Sequence, residues 1–288
     1  MNNYIITSDA TCDLPDEYIS EHNIDIIPIY YTLDNETIYG DEIKLPPQEF
    51  YNKMREGMMP TTMAINPETA TKHLRKHLED GFDVLHISFS SGLSSSCDTS
   101  MLVANELAEE FPDRKIIVVD SKSATLGQGL LVCKAIENQK KGMNFEDNAK
   151  WLEEHVPHVC QQLTVDDLNH LYRGGRLSRT SAIVGTIISV KPIIHIDNDG
   201  KLASVNSVRG RKKSLNTLID NMTENIKGFD NDTVFISHGD CYEDAKYVAD
   251  QIKERFRIEN AMINFASPVI GSHTGPGFLF VSYLAKER

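Results

Sequence analysis

The chain has 288 residues, 40% of them hydrophobic and 25% charged, with a formal charge of -13. That acidity opposes nucleic acid or an anionic membrane as the main partner, since phosphate contacts need clustered Lys and Arg. No apolar run approaches a membrane span, so stable membrane insertion is not expected, and the length suits two modest lobes with a ligand cleft between them.

Short apolar runs alternate with amphipathic segments almost throughout, the pattern of an α/β protein with a largely parallel sheet. The first predicted strand is Tyr4 to Thr7, which leaves no room for a signal peptide and makes a cytoplasmic chain the expectation. A second runs from Ile24 to Thr32. Pro60-Thr61-Thr62 is a polar stretch ahead of Asn66-Pro67, which starts a helix. On that helix His73 and His77 are spaced i, i+4, but Leu74 and Leu78 mark the buried stripe and no acidic third ligand is near in sequence. The two histidines therefore read as a solvated flank.

The strand Val84 to Ser88 leads into the serine-rich Ser88 to Ser96. Hydroxyls, free backbone N–H groups and the positive end of a helix dipole then converge, which suits an anion such as a carboxylate. Ser94, after Gly92-Leu93, reads as the ligand group. Ser96 reads as the N-cap of a helix with Asp98 in its first turn and Ala104, Leu107, Ala108 and Phe111 on its buried face. A strand over Lys115 to Asp120 follows. A helix around Trp151 ends near Val156-Pro157, which places a domain boundary between residues 1–156 and 157–288.

In the second half, strands are predicted over Cys160 to Val165, Lys191 to Asp197, Leu202 to Val208, Thr233 to Ser237 and Ala261 to Phe265. Arg173 and Arg176 flank Gly174-Gly175, before an apolar helical segment with Ile183, Val184, Ile187 and Ile188. The glycines fit an ordinary helix C-cap, and the arginines fit a clamp on an acidic head group. Arg209 to Lys213 reads as the polar start of a helix or a docking patch for an acidic or phosphate-bearing partner. His238 either lines the cleft or satisfies a turn. Gly271 to Gly277 carries His273 and two hydroxyls among three glycines and a proline, so it fits either a small polar head brought close to the main chain or a surface turn.

The five cysteines are odd in number and form no C-x-x-C, so neither disulfides nor structural zinc are expected. The phosphate-loop, dinucleotide and zinc-protease motifs are absent, and no cofactor is expected. Gly92 to Ser96 approaches the G-x-S-x-G elbow of α/β-hydrolases, with Ser94 as nucleophile, His273 as base and Asp240 as orienter. It departs at Ser96, where the elbow has glycine, and no H-G-G-G-like loop precedes it. A binding protein is the stronger reading, with a serine hydrolase on acyl esters or a non-lipid regulatory module as alternatives.

In order, Thr61-Thr62, Ser90 to Ser94, Val119-Asp120-Ser121, Leu171 to Arg176, Lys191-Pro192-Ile193, Val208 to Lys213 and His273 to Gly277 resemble the signature segments of the DegV family, across essentially the whole chain. The resemblance implies two α/β domains with a lipid-binding cleft between them, holding one long-chain fatty acid such as hexadecanoate. It implies no enzyme by itself, but the fatty-acid-binding subunit of a bacterial fatty acid kinase. Such a subunit presents the carboxylate to an ATP-dependent partner that makes acyl phosphate for phospholipid synthesis. Carried over residue by residue, Thr62 and Ser94 bond the carboxylate, His273 and Arg173 stand near the head, and Arg209 and His273 face the kinase. Met63 to Asn66 and Ser95 to Cys97 depart from the family pattern, so chain-length preference is not carried over.

Overall fold

The computed structural model describes residues 4–178 and 189–288, and the segment with Ile183, Val184, Ile187 and Ile188 lies outside them. In chain order the first half contains β1 (Tyr4–Asp9), α1 (Asp16–Glu21), β2 (Asp25–Ile27), β3 (Tyr31–Thr32), β4 (Ile38–Tyr39), α2 (Pro47–Arg55), β5 (Thr61–Thr62), α3 (Pro67–Glu79), β6 (Asp83–Ser88), α4 (Ser96–Glu110), β7 (Ile116–Asp120), α5 (Thr125–Lys140) and α6 (Phe145–His155). The second contains β8 (Val159–Thr164), α7 (Asn169–Arg173), β9 (Val190–Ile196), β10 (Leu202–Arg209), α8 (Arg211–Asn225), β11 (Thr233–His238), α9 (Tyr242–Phe256), β12 (Asn260–Phe265), α10 (Pro268–Thr274) and β13 (Leu279–Leu284).

The mixed α/β architecture follows the sequence pattern, but the strand directions differ between its sheets. The first sheet has the order β2-β1-β6-β7 and is parallel throughout, its strands joined by helical crossovers. The second, β10-β9-β8-β13-β11-β12, is antiparallel at every pairing except β11 with β12. The expectation of a largely parallel sheet therefore fails here. One reason is local: the chain turns between β9 and β10 at Asp199-Gly200, where Gly200 adopts φ 76 and closes a hairpin instead of a crossover. The other is β13, which no alternation pattern announces because all six of its residues are buried. It pairs with β8 and β11 at the centre of the sheet.

The single strand predicted over Ile24 to Thr32 is interrupted, since Pro28 lacks the N–H that a ladder needs. Beyond the break, β3 joins β4 and β5 in a small separate sheet whose register sets Tyr31 opposite Thr62. At the serine loop, the residue before α4 is Ser95, and Ser94, not Ser96, supplies the acceptor: its Oγ takes the Ser96 N–H at 3.2 Å. Ser96 is instead fully buried, and its Oγ accepts the Ile65 N–H at 3.1 Å. Ala108 faces solvent, and the buried stripe runs through Val103, Ala104 and Leu107.

Near β2 the solvated flank is likewise corrected. Asp25 accepts a hydrogen bond from His73 Nδ1 at 2.8 Å and from His77 Nε2 at 2.8 Å, so the acidic partner comes from the neighbouring strand. Burial raises the proton affinity of Asp25, but the two imidazoles outweigh it and hold the carboxyl below its ordinary value of 3.8. A depressed carboxyl contributes stability that is full above 3.8 and is lost as pH falls below it. Asp25→Asn should therefore lower stability by about 1–2 kcal/mol at neutral pH, and the difference from wild type should shrink below pH 3.8. Urea unfolding across that range checks this.

The largest core unites both halves, running from Ile27, Phe50 and Leu74 through Leu163 and Ile194 to Phe278 and Phe280. Two further contacts tie the serine loop to the β9–β10 hairpin. Ser90 Oγ donates to the Gly200 carbonyl at 2.7 Å, and a methyl on Gly92 would lie 2.6 Å from the backbone of Asp199 and Gly200. Arg288 donates to the carbonyls of Val159 and Asp197 and to Ser123 Oγ, tying β8 and the end of β9 to the loop after β7. No helix among the described residues is long and apolar enough to cross a membrane.

Candidate functional site

Where the elements meet, β5, the loop before α4, the end of α7 and helix α10 enclose a narrow apolar slot of 40 Å³. Ile29, Phe89, Leu93, Ala124, Leu202 and Phe280 form much of its wall, with Thr62, Ser94, Arg176, His273 and Thr274 as its polar members. Outside it is a vestibule of 370 Å³ lined by Met59, Thr61, His170, Arg173 and Ser272. Thr62, Arg176 and His273 line both spaces, so they stand where the apolar slot opens into a polar chamber.

Thr62 and His273 meet directly, with Oγ1 and Nε2 2.8 Å apart across 211 residues of sequence. Burial, reinforced by the Arg176 guanidinium, lowers the His273 imidazole to about 4, so it is neutral near pH 7. A neutral ring has one donor and one acceptor nitrogen. Nδ1 has no hydrogen-bond partner among the described residues and lies against Gly174, where any methyl would overlap it. With Nε2 as the N–H, His273 donates to Thr62 and leaves the threonine hydroxyl hydrogen free to point into the slot.

Ser94 lines the slot, its Oγ 2.9 Å from Ser96 Oγ. Arg176 donates from Nε to the Leu93 carbonyl at 3.1 Å and from Nη1 to the Gly174 carbonyl, which fixes the loop that carries Ser94. Arg173 does not line the slot. It is exposed in the vestibule, with Nη2 2.9 Å from His170 Nδ1 and Nη1 3.0 Å from Met59 Sδ. Arg176, three residues on, is the arginine at the seam, and the only sequence signal for it was its place after the Gly-Gly turn. Arg209 is exposed at the end of β10 and lines neither space.

The His273 segment is no surface turn: Gly271 to Thr274 form the last turn of α10, and Gly275 to Gly277 make a largely buried turn toward β13. Both of its hydroxyls are engaged within the helix: Ser272 Oγ donates to the Pro268 carbonyl at 2.6 Å and Thr274 Oγ1 to that of Ile270 at 3.0 Å. Thr274 lines the slot beside His273, but its hydroxyl hydrogen is already spent on the helix. The glycines serve packing, since side chains at Gly271, Gly275 and Gly277 would overlap Tyr51, His170 and Asp166 respectively.

The three groups of the hydrolase alternative are apart in their bonding. His273 Nε2 is bonded to Thr62, and Asp240 is held by Arg55 and by Gln48 Nε2 at 2.8 Å. Ser94 is bonded to Ser96. His238 satisfies a turn, its Nδ1 accepting the Cys241 N–H at 3.3 Å, and burial lowers it to about 4. Arg211, in the basic cluster, pairs with Asp244 at 2.8 Å at the start of α8. No group of His, Cys, Asp or Glu among the described residues is arranged to hold a metal ion.

A sequence profile for an uncharacterised protein of the DegV family matches residues 4–286. A DegV domain-containing protein of Clostridium perfringens (strain 13 / Type A) is 38% identical over 290 residues, covering 100% of this chain and 99% of its own length. Among solved structures, the fatty-acid-binding DegV family protein of Thermus thermophilus is 30% identical, covers 98% of this chain and 99% of itself, and superposes with a TM-score of 0.85. DegV of Bacillus subtilis, a fatty acid binding protein, is 29% identical over 99% of this chain and 100% of its own, with a TM-score of 0.85.

Proposed function

The chain belongs to the DegV family, and from that premise we propose that it binds a long-chain fatty acid and presents the carboxylate to an ATP-dependent kinase. The observation that carries the reading is the Thr62–His273 pair at the seam between apolar slot and polar vestibule. A fatty acid has the same division, an apolar chain ending in one charged head. Thr62 and Ser94 donate to the carboxylate oxygens, His273 orients Thr62, and the chain runs along Leu93, Ala124, Leu202 and Phe280.

Burying roughly 14 methylenes at about 0.8 kcal/mol each gives on the order of 11 kcal/mol before association costs. The tail thus supplies most of the affinity and the hydroxyls fix the head. A slot of 40 Å³ is small beside the roughly 300–1,000 Å³ of ordinary ligand pockets, so entry of the chain parts the walls. The vestibule beyond the head supports presentation: His170, Arg173 and Arg176 line it with no acidic side chain among the described residues, which suits an approaching phosphoryl group. There the carboxylate oxygen attacks the γ-phosphorus of ATP on the partner and ADP leaves. Arg209 and His273 are offered to that partner, with the exposed Arg173 beside His273 in the vestibule. The same reading takes residues 1–156 and 157–288 as the two lobes around the ligand.

Solvent extraction of the purified protein, followed by mass spectrometry, should release a stoichiometric long-chain acid. Protein free of lipid that also fails to take up hexadecanoate would overturn the binding reading. With a fatty acid kinase and ATP, the bound acid should convert to an acyl phosphate trapped by hydroxylamine, and unconverted acid would remove the presentation step. A chromogenic acyl ester should not turn over. Turnover lost in Ser94→Ala would favour the hydrolase.

A further inference from the structure

Behind the slot, across a wall formed by Ile29 and Val269, lies a second chamber of 440 Å³. Leu14, Ile26, Leu45 and Pro46 make it largely apolar, and Asp13, Tyr31 and Ser267 bring polar groups to it. Asp13 is only 6% exposed, held at φ 52, with its Oδ1 accepting the Ser267 N–H at 2.9 Å. Its second oxygen, Oδ2, is buried and has no hydrogen-bond partner among the described residues. A buried carboxyl satisfied on one side only is destabilising unless something else completes it. None of the fatty-acid head-group residues lines this chamber.

We propose that this chamber is a second ligand site, for a small apolar molecule bearing a neutral hydroxyl that bonds Asp13 Oδ2 beside the hydroxyls of Tyr31 and Ser267. The apolar walls take the body of the ligand. Burial, against the lowering effect of the Ser267 N–H and hydroxyl, pushes the Asp13 carboxyl well above its usual range, which favours a neutral partner over an ionic one. Lys44 and Asp16 also line the chamber and carry opposite charges that offset one another.

The test is titration of 1-hexanol and of hexylammonium into the full chain, with and without saturating hexadecanoate, read from the amide resonances of Ser267 and Leu45. 1-Hexanol should shift both saturably, whether or not hexadecanoate is present. Asp13→Ala removes both carboxyl oxygens with no amide in their place and should weaken the alcohol at least about tenfold, the loss of one hydrogen bond to a buried group, with circular dichroism checking that the variant is folded. Ala10→Leu fills the chamber without altering the carboxyl and should weaken it as well. The proposal falls if no saturable shift occurs, if hexadecanoate displaces the alcohol, or if either folded variant binds like wild type. Hexylammonium binding tenfold more tightly than 1-hexanol overturns the neutral-head assignment.

Discussion

In the Thr62→Val, Ser94→Ala double variant, hexadecanoate affinity should fall at least about 100-fold while the protein stays folded. A hydrogen bond to a charged group contributes about 1.5–3 kcal/mol, so two lost together correspond to about 3–6 kcal/mol, or roughly 10²- to 10⁴-fold. Val replaces Thr62 at nearly constant volume and suits its place in β5. Ser94→Ala also removes the acceptor for the Ser96 N–H, at a cost of about 0.5–2 kcal/mol in stability. The melting point should therefore drop by a few degrees without loss of the native state. Displacement of a fluorescent fatty acid gives the affinity, and circular dichroism gives the melting curve. Wild-type affinity in the double variant would remove the head-group assignment.

Gly174→Ala is expected to weaken binding about 10- to 100-fold, although it alters no group assigned to the ligand. The added methyl would overlap His273 Nδ1 and lie 3.3 Å from the His170 carbonyl. The imidazole has to swing, and with it goes the 2.8 Å bond that orients Thr62. Gly175→Ala is the control, because its φ is +70 but no atom lies within 4 Å of the position a methyl would take. It should cost roughly 1 kcal/mol of stability through the strained backbone and leave affinity as it was. Equal binding by the two variants would show that the His273 ring position does not matter.

What sequence reasoning could reach follows from the range of the interactions involved. Asn66-Pro67 starts α3 because Asn66 accepts the Glu68 and Thr69 N–H groups, a signal contained within four residues. Thr62, Ser94 and His273 could be proposed from their chemistry and the family resemblance, and all three line one slot. Arg176 could not be separated from Arg173, because its direction is set by the Leu93 carbonyl, 83 residues away. The same distance problem hid Asp25 from His73 and His77, 48 and 52 residues downstream, until strand β2 brought them together. The hydroxyls beside His273 misled for the opposite reason. Once α10 is helical, a carbonyl four residues back is the nearest acceptor for each.

The two halves of the Thr62–His273 clasp stand on unequal footings. His273 belongs to a helix wedged against Phe50 and Tyr51, whereas Thr62 sits in a two-residue strand held to the rest of the chain by its ladder with β3. Local opening of so short a sheet takes far less free energy than global unfolding, so amide exchange at Tyr31 and Thr62 should be rapid compared with the core strands. Each opening lifts one jaw of the clasp and unroofs the slot along its side. On the proposed binding reading, an acyl chain in the slot would then leave sideways instead of threading out end first, and its residence time would follow the pairing of β3 with β5.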